Sequence, residues 1–335
     1  MKKVGIIGVS GYTGLELIKI LLSHPGFEIS YLGASTDGEI SEIFPQLRGV
    51  LQMRVEAADA RVAAQRCELV FLALPHGKAM EFAREILKFK SVKVVDLSAD
   101  YRLSRELYEK NYTAHLDPCN LAHAVYGLPE LNREKIRAAR LTANPGCYPT
   151  CSILALAPFV RLLDPDTGVF IDAKSGVSGA GKALKASSHF VSANENANAY
   201  SPISHRHADE IKEQLQILKG GEFSTLFVPN LLPITRGMLV SAFGVLQKSV
   251  DAEAMLREFY ENEPFVRVRS EPVSIKNVVG THFCDIFVKT AGDKIWINSA
   301  IDNLLRGASS QAVANANLMC GFAEATALPR IAHGI

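Results

Sequence analysis

Residues 2–22 read KKVGIIGVSGYTGLELIKILL, a short apolar run, a glycine-rich turn and a segment with apolar residues at helical spacing. The order decides the fold. Strand, glycine turn and helix in succession open a dinucleotide-binding unit, because glycines permit the tight turn and let backbone N–H groups approach a pyrophosphate. The phosphate charge is then favoured at the N-terminus of the following helix. Gly8, Gly11 and Gly14 stand in the spacing GxxGxxG, not GxGxxG, so this stretch alone also fits a turn without a ligand. Ser10, Tyr12 and Thr13 fill the turn and are expected at the cofactor with the glycines. Two lysines ahead of an apolar run resemble a secretory signal, but Glu16 and Lys19 interrupt that run and the turn explains the glycines.

Further along, EISYLGA, ELVFLAL, VKVVDLS and ARLTAN repeat the strand pattern, while TGLELIKILLSH and KAMEFAREILKF repeat the helical one. Continuous apolar strands alternating with helices predict an α/β domain over residues 1–146, a doubly wound parallel sheet covered on both faces. After about residue 150 the pattern changes: VFIDAKSG, STLFVPNLLPIT, MLVSAFGVLQ and DIFVKTAGDKIWINSAI predict longer strands, with AGD as a hairpin turn. The expectation over residues 147–304 is an α+β domain with a mainly antiparallel sheet and helices on one face. GASSQAVANANLMCGFAEAT is helical again, and a C-terminal helix over 305–335 is expected to complete the first domain. A chain of 335 residues exceeds what one core sustains, which also argues for two domains.

Composition narrows the partners. The net charge of +1, from 36 basic and 35 acidic residues without a long like-charge block, leaves no electrostatic footprint for nucleic acid or a membrane surface. No stretch of 18 or more apolar residues occurs, so a soluble, cytoplasmic protein acting on a small molecule is expected. Cysteines at 67, 119, 147, 151, 284 and 320 have irregular spacings and no CxxC pair. That pattern fits reduced thiols better than disulfides or zinc, and no metal is expected.

The second strand, EISYLGA, ends in Ser35 and Thr36 rather than at once in an acidic residue. Their hydroxyls can bond a 2′-phosphate, which favours NADP, although Asp37 follows directly. Pro75 in LALPH and Ser98 in VVDLSAD end later strands on the edge where ligands bind in such sheets, and are expected at the dinucleotide or in plain strand-end loops.

A thiol in an unusual place suggests the chemistry. In LTANPGCYPTC, residues 141–151, Cys147 sits where a strand hands over to a helix. A thiolate there can attack an acyl phosphate, expel phosphate and hold the acyl group as a thioester able to accept hydride. An ordinary cysteine is mostly protonated at neutral pH, so a helix N-terminus and a histidine base would be needed to activate it. NENANAYSPISHRHADEI supplies His205 and His207 flanking Arg206, with Glu210 three residues after the second. The HxH spacing also fits metal ligands or solvated surface groups, and Glu210 can orient an imidazole. DAKSGVSGAGK, residues 172–182, offers Ser178, backbone N–H groups and Lys182 to an anion, or is a flexible loop.

Together these motifs resemble the N-acetyl-gamma-glutamyl-phosphate reductase family, the NADPH-dependent third step of arginine biosynthesis. GVSGYTGLEL, FPQLRG, LALPHG, VVDLSADYRL, YGLPELN, NPGCYPT, DAKSGVSGAG, AYSPISHRH, FVPNLLPITRGM and DNLLRGASSQA match it in order along nearly the whole chain. The resemblance implies a dinucleotide-binding domain joined to a substrate-binding and oligomerisation domain, in a homo-oligomer (dimer or tetramer). It also implies Cys147 as nucleophile and the HRH pair as acid/base, with His205 and His207 both open. Asn303 is then expected near the nicotinamide, with Ser178 and Gly179 also at the cofactor; Asn144, Ser178, Lys182, Tyr200 and Arg206 are expected at the substrate. Two departures stand out: Asp209 occupies a position where the family usually has proline, and STDGE, residues 35–39, lacks the arginine that relatives carry near the 2′-phosphate. The competing readings are a reductase of another acyl phosphate, aspartyl or carrier-bound aminoadipyl, and a non-catalytic NADP or redox sensor.

Overall fold

The computed structural model describes residues 1–334, which divide into two units: Met1–Pro145 with Ala308–Leu328, and Gly146–Gly307 with the segment from Pro329 onward.

The first unit carries eight strands: β1 (Lys2–Ile7), β2 (Phe27–Ala34), β3 (Gly38–Glu39), β4 (Arg54–Ala57), β5 (Leu69–Leu72), β6 (Lys93–Asp96), β7 (Val125–Tyr126) and β8 (Leu141–Ala143). Their order is β3-β4-β2-β1-β5-β6-β8-β7, and every pairing is parallel except β3 on β4. Val4, Ile6 and Ile7 in β1 and Leu69 to Leu72 in β5 are wholly buried, as a sheet covered on both faces requires. Strand order reverses between β1 and β5, so the carboxyl end of β1, where Gly8 begins the turn, lies at the switch point where such sheets bind ligands.

The expected helix over 305–335 is shorter. A π turn at Leu305–Ser309 leads into a helix at Ser310–Met319 that is buried on all sides, and it packs against the helices Tyr12–Leu22 and Pro129–Ala138. It ends because Gly321 takes a left-handed φ of +80°. Phe322 N–H then returns to Asn317 O at 2.9 Å and Gly321 N–H to Leu318 O at 3.2 Å, closing a Schellman motif that glycine alone adopts without strain. From Pro329 the chain belongs to the second unit, held by His282 N–H to Pro329 O at 2.8 Å and His333 N–H to Val279 O at 2.9 Å.

The second unit holds seven strands, β9 (Val169–Gly176), β10 (Asn198–Ala199), β11 (Thr225–Leu232), β12 (Met238–Val245), β13 (Val266–Val268), β14 (Cys284–Ala291) and β15 (Lys294–Ile301), in the order β10-β11-β9-β12-β15-β14-β13. The sheet is mainly antiparallel; β9 with β11 and β13 with β14 run parallel. Gly292, with φ +62°, turns the β14–β15 hairpin. Alternation separates two faces. Met238, Val240 and Ala242 point to the side covered by the helices Cys147–Leu156 and Ala252–Phe259. On the other side Phe243 lies in register between Phe170 and Trp296, and Phe170 and Phe243 remain exposed.

Candidate active site

In the first unit, β1 ends in a turn whose glycines have separate duties. A Cβ on Gly8, at φ +88°, would lie 2.3 Å from Ala73 O, and one on Gly14 would lie 2.2 Å from Val9 O. Both positions therefore exclude a side chain for reasons of backbone packing. A Cβ on Gly11 would meet nothing closer than 3.9 Å, so that side of the turn is open. No side chain caps the helix Tyr12–Leu22 at Gly11, and no acidic residue stands in its first turn. An open concavity at an uncapped helix N-terminus fits a dinucleotide pyrophosphate. Ser35 is exposed just after β2, and Pro75 is exposed after β5.

Two residues expected at the ligands have side chains bonded within this unit. Ser98 is 1% exposed; its hydroxyl donates to Asp96 Oδ2 at 2.8 Å and accepts from Asp100 N–H at 3.0 Å. Asn144 has no exposure; its Nδ2 donates to Ala308 O at 3.1 Å and its Oδ1 accepts from Asn315 Nδ2 at 3.1 Å. Both side chains brace the strand ends, because polar groups this deeply buried must be bonded internally.

In the second unit, Cys147 is the first residue of the helix Cys147–Leu156 and is half-buried, whereas Tyr148 to Leu156 behind it are buried. Gly146 is the N-cap and, as glycine, offers no side-chain acceptor to the first turn, and Pro149, which lacks an N–H, sits in that turn where the loss is harmless. The helix dipole at this end favours a thiolate. Cys151, one turn on, is wholly buried 3.1 Å from Ser299 Oγ, and burial pushes its thiol up to about 12. It is a core residue. Two long-range contacts fix the backbone at Cys147: Gly146 N–H donates to Glu210 Oε1 at 3.0 Å, and Gly307 packs so closely that a Cβ there would lie 2.6 Å from Cys147 Cβ.

The histidines gather beside Tyr148. The His205 ring centroid lies 4.9 Å from His207, 5.5 Å from Tyr200, 5.7 Å from Phe227 and 5.8 Å from Tyr148, all edge-on, with Tyr148 5.9 Å from His207. Tyr200 Oη donates to Tyr148 Oη at 3.0 Å, which reaches Asn230 O at 3.4 Å. Burial raises both phenols, Tyr200 to about 12, so the chain stays protonated. His205 Nδ1 accepts the N–H of His207 at 3.1 Å. Burial and then the neighbouring Arg206 lower His205 to about 4. A neutral ring accepting at Nδ1 must carry its proton on Nε2, which makes that nitrogen a donor. Glu210, expected beside an imidazole, accepts the backbone N–H of Gly146.

The glycine loop is bonded largely within the second unit. N–H groups of Gly176, Val177 and Ser178, expected to face an anion, donate to Gly237 O, Ile234 O and Thr235 O at 2.9, 2.8 and 3.1 Å. Asn303, 2% exposed, accepts Gly237 N–H at 2.7 Å and donates to Ser178 Oγ at 3.0 Å. Loop and amide thus brace each other, and a Cβ on Gly179 would lie 2.9 Å from Ser175 Oγ. Lys182 and Arg206 are exposed. Among the described residues no group of three His, Cys, Asp or Glu side chains stands together to hold a metal, and no helix is long and apolar enough to cross a membrane.

Comparison with known proteins gives the family. Residues 3–139 match the family model "Semialdehyde dehydrogenase, NAD binding domain", and residues 147–303 match "Semialdehyde dehydrogenase, dimerisation domain". An N-acetyl-gamma-glutamyl-phosphate reductase of Campylobacter hominis is 75% identical over 335 residues, covering 100% of both chains. Reductases of the same name from Campylobacter curvus and Wolinella succinogenes are 68% and 58% identical, covering 98% and 99% of both chains respectively. Among solved structures, aspartate semialdehyde dehydrogenase II of Vibrio cholerae has the same fold, with a TM-score of 0.73 at 14% identity over 96% of this chain and 98% of that one. The chain belongs to the N-acetyl-gamma-glutamyl-phosphate reductase family of semialdehyde dehydrogenases.

Proposed function

We propose that the chain reduces N-acetyl-L-glutamate 5-phosphate to N-acetyl-L-glutamate 5-semialdehyde and phosphate, in arginine biosynthesis, through a thioester on Cys147. The observation that carries the reading is the half-buried Cys147 at a helix N-terminus, one residue from the tyrosine that both histidine rings contact. His207 takes the thiol proton, the sulfur attacks the acyl carbon, and His207 returns the proton to the departing phosphate. When bound at the Gly8–Gly14 turn, a reduced nicotinamide would supply the hydride that takes the thioester to the aldehyde level. The Nε2–H of His205 donates to the oxyanion of each tetrahedral stage, and collapse of the second releases the aldehyde and the Cys147 thiolate, reprotonated through His207 from solvent. The tautomer of His205 supports this division of labour, since a ring that donates at Nε2 is not the base.

The cofactor in this proposal is NADP. Ser35 and Thr36 are exposed hydroxyls at the end of β2, the place where a ribose 2′-substituent is read. A homo-oligomer is part of the same reading: exposed Phe170 and Phe243, in register on the uncovered sheet face, supply the apolar surface a second copy would cover. The free thiols of all six cysteines suit a reducing cytoplasm. Assaying N-acetylglutamyl, aspartyl and aminoadipyl substrates with NADPH tests the substrate; turnover of N-acetyl-L-glutamate 5-phosphate at the highest kcat/KM supports it, and preference for another acyl phosphate overturns it.

A further inference from the structure

The loop after β2 and the start of β4 meet through one ion pair. Arg54 Nη2 donates to Asp37 Oδ2 at 2.8 Å, with both side chains exposed. The sheet brings them together: Ala34 pairs with Ala57, and Glu39 pairs with Arg54 across the β3–β4 ladder. Arg54 therefore stands beside the Ser35–Asp37 loop although 17 residues separate it from Asp37 in sequence. Glu39 and Glu56 also act on Arg54, but Glu56 is bonded to Arg66 at 2.6 Å. Asp37 is the partner that holds the guanidinium.

We propose that Asp37 and Arg54 form the element that sets cofactor choice: Arg54 leaves Asp37 to bond the 2′-phosphate of NADP, and Asp37 opposes that step. The inference rests on the reading of this chain as a nicotinamide-dependent reductase that uses NADP. An exposed ion pair is weak and readily exchanged. A phosphate dianion offers the guanidinium more charge and a bidentate geometry, so it is the better partner. Asp37 then faces a like charge, whereas with NAD it can accept the ribose 2′-hydroxyl. One residue pair thus holds a determinant for each cofactor.

The test measures binding to the full-length protein by calorimetry, with 2′,5′-ADP and 5′-ADP as probes, alongside kcat/KM for NADPH and NADH. Arg54→Gln should weaken 2′,5′-ADP relative to 5′-ADP by about tenfold or more, the scale of one charge-assisted bond to phosphate. Asp37→Asn should shift the same ratio the other way, and the NADPH to NADH ratio should follow in both variants. Equal losses for both probes, or an unchanged ratio in both variants, would overturn the proposal. A wild-type protein that prefers 5′-ADP and NADH, with the variants still moving the ratio in opposite directions, would refute the NADP reading and leave the role of the pair standing.

Discussion

The N–H of Gly146 donates to the Glu210 carboxylate at 3.0 Å, which ties the residue before Cys147 to the helix that begins at His207. Glu210 is 1% exposed, so the contact is shielded from water and sets the spacing between thiol and histidines through the backbone. Glu210→Gln keeps an acceptor and should retain activity within about tenfold, whereas Glu210→Ala leaves a buried N–H unbonded, at a cost of about 1–3 kcal/mol. Denaturant titration and kcat together check this. Equal effects of the two substitutions would contradict it.

Gly307 stands where any side chain would strike Cys147, with 2.6 Å to its Cβ and 3.1 Å to its Cα. In an ordinary helix an alanine would be preferred to glycine. Gly307→Ala should instead destabilise by about 1–3 kcal/mol, the usual cost of overpacking, and slow alkylation of Cys147 by iodoacetamide. A variant with wild-type melting temperature and thiol reactivity would show that the approach is not constraining.

The two imidazoles should respond unequally to replacement. His207→Asn removes the proposed proton carrier and should lower kcat by about 10²–10⁴-fold. His205→Asn retains an acceptor for the His207 N–H now held at 3.1 Å, and loses only a donor to the oxyanion, so its loss should be the smaller. Steady-state kinetics in both directions measure the difference; a larger loss at His205 would reverse the assignment.

Stability should depend on pH through His205. Its folded value of about 4 lies below the ordinary 6.5, so between these pH values the unfolded chain binds the proton more readily. The contribution is present above pH 6.5, falls as pH drops, and is lost by about pH 4, at no more than about 1.4 kcal/mol per unit of depression. Urea unfolding from pH 7 to 4.5 should show a shallower decline in His205→Asn than in the wild type; parallel curves would exclude the effect.

The sequence made the local devices legible. GVSGYTG announces a strand, a turn and a helix, and NPGCYPT places a thiol at a helix start, because neighbouring residues alone decide such features. The partners that complete them lie far along the chain: Glu210 is 64 residues from Gly146, and Arg54 reaches Asp37 only because β3 and β4 pair. Periodicity does not encode such meetings. The internal bonding of the glycine loop is hidden in the sequence for a related reason. KSGVSGAG reads as a row of free N–H donors, but three of them are consumed by the chain at Ile234, Thr235 and Gly237, which local composition does not reveal. Ser98 and Asn144 share that history, since a polar residue at a strand end looks the same in sequence whether it meets a ligand or braces its neighbours.

The thioester on Cys147 can be trapped. Incubating the protein with N-acetyl-L-glutamate 5-phosphate without reduced nicotinamide, then quenching in acid, should give one acyl adduct per chain by mass spectrometry. Peptide mapping should locate it at Cys147, and Cys147→Ser should form no thioester while still binding 5′-ADP. An adduct on another residue, or full turnover by Cys147→Ser, would exclude a Cys147 thioester as the intermediate.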